Sequence, residues 1–194
     1  EELKLAENTV LIFASDNGGV GGYDRPDGLI REPGKEAKGK KAKSADDEDG
    51  GGITDNTPLR SGKGSLYEGG VRVPFIVRWP GRAPAGRKDD STVITAVDLL
   101  PTLCAAAAVS LPADYRGDGE NLLPALQGKP SVRTRPVFWE WRGNQTEPDW
   151  WPRLAVRDGE WKLLLTYDAK RVSLHRLPAD RAETQDVAAE NPAV

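Results

Sequence analysis

The 194-residue sequence contains no methionine, one cysteine and one histidine, and each shortage narrows what the chain can do. A lone Cys104 cannot close a disulfide within the chain, and with only His175 to accompany it there is no His/Cys set for a zinc site. The n-region and apolar h-region of a signal peptide are both missing, and the chain starts at Glu1, so it reads as a fragment. The longest strongly apolar stretches, 10–14 and 99–111, are too short to span a bilayer, and the second contains Pro101, so no transmembrane helix is expected. Basic charge is not in excess either. Lys and Arg number 27 against 30 Asp and Glu, and the formal charge of −3 argues against general attraction to nucleic acid.

What is present fits a folded α/β chain, because 38% hydrophobic and 29% charged residues can build a core. The run Thr9 to Ala14 is apolar and rich in β-branched residues, which predicts a strand buried on both faces of a parallel sheet. It ends in Ser15-Asp16-Asn17-Gly18-Gly19, at the strand end where ligands collect in open α/β sheets. Val71 to Trp79 predicts a second strand, closed by Pro80-Gly81. Thr95-Ala96-Val97-Asp98 has the form of a capping box, with the Asp98 carboxylate returning to the Thr95 amide, at the head of a helix over 99–109. Pro101 falls near the first turn of that helix, where a missing N–H costs little.

Further along, runs at 136–141, 153–157 and 161–166, with Asp158-Gly159 between the last two, predict a small antiparallel sheet to which 172–177 adds a strand. The tail from Asp180 has a weak helical pattern. A domain boundary is expected near 129–135, dividing an α/β part over 1–130 from an antiparallel subdomain over 131–194. Within the first part, residues 32–52 place five lysines ahead of four consecutive acidic residues, with no aromatic or β-branched residue, and read as a flexible charged insertion.

Two groups of residues carry chemistry. Asp16 and Asn17 offer a carboxylate and an amide oxygen on adjacent residues, hard donors suited to Ca²⁺ or Mg²⁺, although two ligands do not fill a calcium shell. Taken alone, Asp-Asn-Gly is better explained by an Asx turn with a glycine exit. Lys63 lies between Gly62 and Gly64, shortly before a strand, where it can present a point charge to an anion. A nucleotide-binding loop is excluded, because the glycine required five residues before Gly62-Lys63 is replaced by Thr57. Five of six tryptophans fall after residue 138; Trp139 and Trp161 suit core packing, and Trp150 and Trp151 suit substrate contact from a loop.

Phe13-Ala14-Ser15-Asp16-Asn17-Gly18-Gly19, followed by the run from Gly62 to Pro74 (Gly-Lys-Gly-Ser-Leu-Tyr-Glu-Gly-Gly-Val-Arg-Val-Pro), closely resembles the type I sulfatases of the alkaline phosphatase superfamily. Asp118-Gly119 before Leu122-Leu123-Pro124, and Arg157-Asp158-Gly159-Glu160-Trp161-Lys162-Leu163, agree with it. The resemblance implies the C-terminal portion of an alkaline-phosphatase-like mixed sheet with flanking helices, followed by the small antiparallel subdomain. It also implies that Asp16 and Asn17 bind Ca²⁺, that Lys63 contacts the sulfate and assists departure of the ester oxygen, and that the substrate is a sulfated small molecule or carbohydrate.

The family's formylglycine nucleophile arises in a Cys/Ser-x-Pro-x-Arg context that does not occur here, and Cys104, in an alanine-rich segment without a nearby arginine, reads as a small buried thiol. The family's catalytic histidines lie upstream of the Asp-Asn pair, so His175 is expected to be structural. The resemblance further implies a periplasmic, secreted or lysosomal-type compartment. Phosphodiesterases and phosphonate hydrolases share the superfamily, and a catalytically silent binding module is a reading from a different class. Asn17 followed by two glycines favours the sulfatase reading, since many phosphate-handling relatives place a histidine after the aspartate.

Overall fold

The computed structural model describes residues 3–20, 54–142 and 151–194. The charged insertion and Trp150 therefore lie outside the described residues. The chain forms two compact units, Glu1–Ala14 with Phe75–Pro136, and Ser15–Pro74 with Val137–Val194. The described elements are of mixed α/β class with antiparallel sheets. Among the described residues no helix is long and apolar enough to cross a membrane.

In the first unit, β1 (Leu11–Ala14) pairs with β2 (Phe75–Arg78), Leu11 opposite Arg78 and Ala14 opposite Phe75. The pairing is antiparallel, not parallel as the apolar run predicts, and Leu11, Phe13 and Ile76 are all exposed. A continuous apolar run is buried only where both faces of its sheet are covered. Here each strand has one neighbour among the described residues, and a face carrying Phe13 and Ile76 stays open. The second strand is shorter than expected because 68–71 winds into a helical turn and Pro74, lacking an N–H, precedes the strand.

The capping box forms as read from the sequence. Thr95 N donates to Asp98 Oδ2 at 2.8 Å, and a 3-10 turn (Ala96–Asp98) runs into the helix Leu99–Ala106, which we label α2 after the earlier α1 (Glu68–Val71). α2 stops three residues early: Ala108 takes a φ of 55° and Val109 N reaches back to Cys104 O. Cys104 is half-buried on this helix rather than enclosed. Asp98 and Thr102, one turn apart and fully buried, hold the following segment. Asp98 accepts from Glu120 N (2.8 Å) and Arg133 Nη1 (2.6 Å), and Thr102 Oγ1 accepts from Leu122 N (2.9 Å), just ahead of α3 (Leu123–Leu126).

The second unit contains a four-stranded antiparallel sheet in the order β3 (Val137–Glu140), β4 (Leu154–Asp158), β5 (Trp161–Leu165), β6 (Val172–Arg176). Asp158 pairs with Trp161, so the hairpin loop is Gly159-Glu160, one residue later than the Asp158-Gly159 dipeptide suggests. Gly159 has a φ of 53° at the first loop position, where a type II′ turn takes glycine. Leu66, Tyr67, Ala155 and Leu164 form the core, with Val71, Trp139, Trp141 and Trp151 packed against them. Trp151 is thus a core-packing residue, with the Arg171 guanidinium 4.2 Å from its ring centroid, and not a free loop side chain.

The tail forms turns instead of a helix, because its backbone groups are drawn to side chains and to β6. Asp180 accepts from Thr184 N and Gln185 N, Asp186 from Leu174 N, and Val187 N donates to Leu174 O. His175 is buried between Gln185 O (Nδ1, 2.8 Å) and Ser173 Oγ (Nε2, 2.9 Å), the structural role expected of it.

Candidate functional site

Asp16, Asn17 and Lys63 all lie in the second unit, on two loops joined backbone to backbone. Lys63 N donates to Gly19 O at 3.0 Å, and Gly18 N donates to Gly70 O at 2.9 Å. Asn56 bridges the same region: Gly19 N donates to its Oδ1, and its Nδ2 donates to Gly19 O and Ser61 O. These contacts need glycine for closeness. A Cβ at Gly18 would stand 1.7 Å from Gly69 O, and one at Gly70 would stand 2.1 Å from Ser65 O. Neither Gly18 nor Gly19 takes a left-handed φ, so close approach and not backbone handedness is why glycine is there.

Asp16 is exposed and Asn17 half-buried. Ser15 Oγ donates to Asn17 O (2.8 Å) and Asn17 Nδ2 to Gly18 O (2.9 Å), which turns the amide so that Oδ1 is left to accept from elsewhere. Lys63 is exposed between buried Gly62 and Gly64, whose φ is 84°. No described residue forms a hydrogen bond or ion pair with the Asp16 carboxylate or the Lys63 ammonium. Among the described residues no cluster of three or more His, Cys, Asp or Glu side chains could hold a metal. A metal at this place would take two hard oxygen donors from Asp16 and Asn17, and its remaining ligands from other groups or water.

Beneath the two loops lies a cluster that the sequence reading passed over. Lys162, fully buried on β5, places Nζ 2.9 Å from Glu68 Oε1 and 2.9 Å from Glu183 Oε1; the second approach lies off the hydrogen-bond direction. Glu68 opens α1, and its N–H donates to Glu183 Oε2. Burial works against the Glu68 carboxylate, but the Lys162 ammonium outweighs it and holds that group below the usual range. For Glu183 burial prevails and pushes the carboxyl above it. Lys162, helped by Arg72 at 3.4 Å from Glu68 Oε2, thus favours the ionised form of Glu68, the one of the two carboxyls that Arg72 also reaches. The available signal was strand alternation, since Lys162 shares a face with Leu164 inside an otherwise apolar strand, and a lysine there must be paired.

Comparison with known proteins gives consistent matches. The family description "Sulfatase" matches residues 1–109, and "N-sulphoglucosamine sulphohydrolase, C-terminal" matches residues 62–193. An N-acetylgalactosamine-6-O-sulfatase of Bacteroides thetaiotaomicron is 29% identical over all of this chain and 35% of its own length. An N-acetylgalactosamine-6-sulfatase of Canis lupus familiaris is 35% identical over 84% of this chain and 24% of its own length. The crystal structure of Ps i-CgsB in complex with k-i-k-neocarrahexaose superposes with a TM-score of 0.66 at 26% identity, covering 99% of this chain and 35% of that one. The chain thus spans about a third or less of the length of these relatives.

Proposed function

From the premise that this chain belongs to the sulfatase family, we propose that it carries the metal- and sulfate-contacting part of a sulfuric ester hydrolase. The observation that carries the proposal is the Lys63 N to Gly19 O bond, which holds an unengaged carboxylate and an unengaged ammonium on joined loops. Among the described residues neither group has a partner, and both side chains are exposed. Asp16 and Asn17 Oδ1 would bind Ca²⁺, for which a carboxylate and an amide oxygen are fitting donors. Bound there, Ca²⁺ supplies positive charge that offsets the negative charge growing on the sulfate oxygens.

Lys63 acts from the adjoining loop. Its ammonium donates to the ester or a sulfate oxygen, stabilising negative charge as the bond to sulfur breaks. The Lys63 N to Gly19 O bond fixes the backbone from which that side chain extends. The sequence has no Cys/Ser-x-Pro-x-Arg motif, so none of these 194 residues is assigned as nucleophile. The relatives named for N-acetylgalactosamine sulfate and the neighbour solved with a neocarrahexaose support a sulfated carbohydrate as the substrate class.

The test is sulfate release from sulfated sugars by the protein in its full natural length, with Asp16→Ala and Lys63→Ala beside the wild type. Without Ca²⁺ both variants should melt with the wild type, because neither side chain is buried or bonded to a described residue, and in turnover both should lose at least ~100-fold in kcat/KM. Wild-type rates in either variant refute its assigned role. Absence of sulfate release from every ester tried, with a formed nucleophile, refutes the sulfatase reading.

A further inference from the structure

We infer that the buried Glu68–Lys162–Glu183 cluster is the positioning device of the candidate site, setting the Asp16-Asn17 loop against the Lys63 loop from beneath. The inference rests on the proposed roles of Asp16, Asn17 and Lys63, and concerns residues that touch neither metal nor sulfate. The cluster grips both ends of the segment that bears Lys63. At one end Glu68 N donates to Glu183 Oε2, and Glu68 Oε1 receives Lys162 Nζ at 2.9 Å. At the other, Arg60 Nη1 donates to Glu183 O at 2.8 Å, while Arg60 O accepts from Gly69 N at 2.9 Å and the guanidinium lies 4.0 Å from the Tyr67 ring centroid. Residues 60 to 68 are thereby closed into a loop with Lys63 at its exposed tip.

The second loop hangs from the same support. Gly18 N donates to Gly70 O, two residues beyond Glu68, with no room for a side chain between the backbones. A shift of α1 therefore moves Gly18, and Asp16 and Asn17 with it. Glu183 is held in place for this with a φ of 52°, a left-handed conformation uncommon for a residue with a Cβ. Lys162 Nζ is the buried cation that lies between the two carboxyls, while Arg72 Nη1 reaches only the other oxygen of Glu68, at 3.4 Å.

The experiment compares Lys162→Met and Glu183→Ala with the wild type in the full-length protein, by residue-resolved amide hydrogen exchange and by calorimetric Ca²⁺ titration. In a variant that folds, exchange at the Gly18 and Lys63 amides should rise at least ~10-fold while amides paired between β3 and β4 keep their protection. Ca²⁺ affinity should fall roughly 10- to 100-fold, as when other outer-shell supports of metal sites are removed. Unchanged exchange at Gly18 and Lys63 overturns the inference. A uniform rise across the unit, or failure of both variants to fold, overturns it in favour of a plain contribution to stability. An Asp16→Ala control with wild-type Ca²⁺ affinity refutes the metal reading instead, and the exchange data then decide the positioning role alone.

Discussion

Replacing Asp98 by alanine removes a carboxylate that ties three segments of the first unit together, at Thr95, Glu120 and Arg133. It accepts from Thr95 N (2.8 Å), Thr95 Oγ1 (2.9 Å), Glu120 N (2.8 Å) and Arg133 Nη1 (2.6 Å), and is fully buried. Arg133 is itself only 8% exposed, so water cannot replace the lost partner. Removing one member of such a pair leaves a buried charge uncompensated, which costs about 3–5 kcal/mol. For a chain of this length the loss should lower the melting temperature by roughly 10 °C, followed by circular dichroism. The pH dependence has a definite sign. Burial opposes ionisation of Asp98, but Arg133 and the donated amides outweigh it and hold its carboxyl below the usual range. A depressed folded-state value contributes stability that is complete above the unfolded value of about 3.9 and is lost as pH falls through the folded one. The gap between wild type and Asp98→Ala should therefore be full at neutral pH and narrow below about pH 4. A melting point within about 2 °C of wild type at neutral pH would refute the reasoning, as would a gap that does not narrow in acid.

Other positions separate structural from functional duty. Gly18→Ala would place a Cβ 1.7 Å from a backbone oxygen, so it should destabilise by about 1–3 kcal/mol and abolish sulfate release, measured by melting and by turnover. Gly159→Ala meets no atom within 4 Å but forces alanine to a φ of 53°, which should cost about 1 kcal/mol in a melt and leave turnover at the wild-type rate. His175→Ala removes a buried ring that bonds to Gln185 O and Ser173 Oγ and should lose about 1–3 kcal/mol, with kcat/KM unchanged.

Local chemistry was the readable part of this sequence. The capping box at Thr95–Asp98, the β4–β5 hairpin and the strand run at 172–177 follow from signals a few residues long, and the structure has each of them. Relations between distant segments were not readable. The apolar run over 9–14 cannot say whether its partner runs parallel or antiparallel, or whether anything covers Phe13. The motif around Glu68 and the one around Lys162 are 94 residues apart, and nothing in either indicates that their charges meet out of water. Trp151 followed a loop-like Glu-Pro-Asp, yet the core around Leu66 and Tyr67 has room for its ring, and packing decided its place.

The glycines show why the candidate site was legible while its support was not. Gly18, Gly19, Gly69 and Gly70 lie close to the functional residues in sequence, where their type alone does not say what they are for. Their duty is mutual closeness. Gly69 cannot carry a Cβ because Arg60 O and Ser61 O would each stand 2.3 Å away, and Gly18 cannot because of Gly69 O. Backbone hydrogen bonds across these contacts hold the loops together, so the loops need nothing from the Asp16 carboxylate or the Lys63 ammonium. The closeness of the loops then resides in main-chain contacts, and their placement in Glu68, Lys162 and Glu183, while the outward side chains remain available for a ligand. This division predicts that, in the absence of Ca²⁺, alanine at Asp16 or Lys63 is thermally silent and alanine at Gly18 is not, a contrast that one set of melting curves resolves.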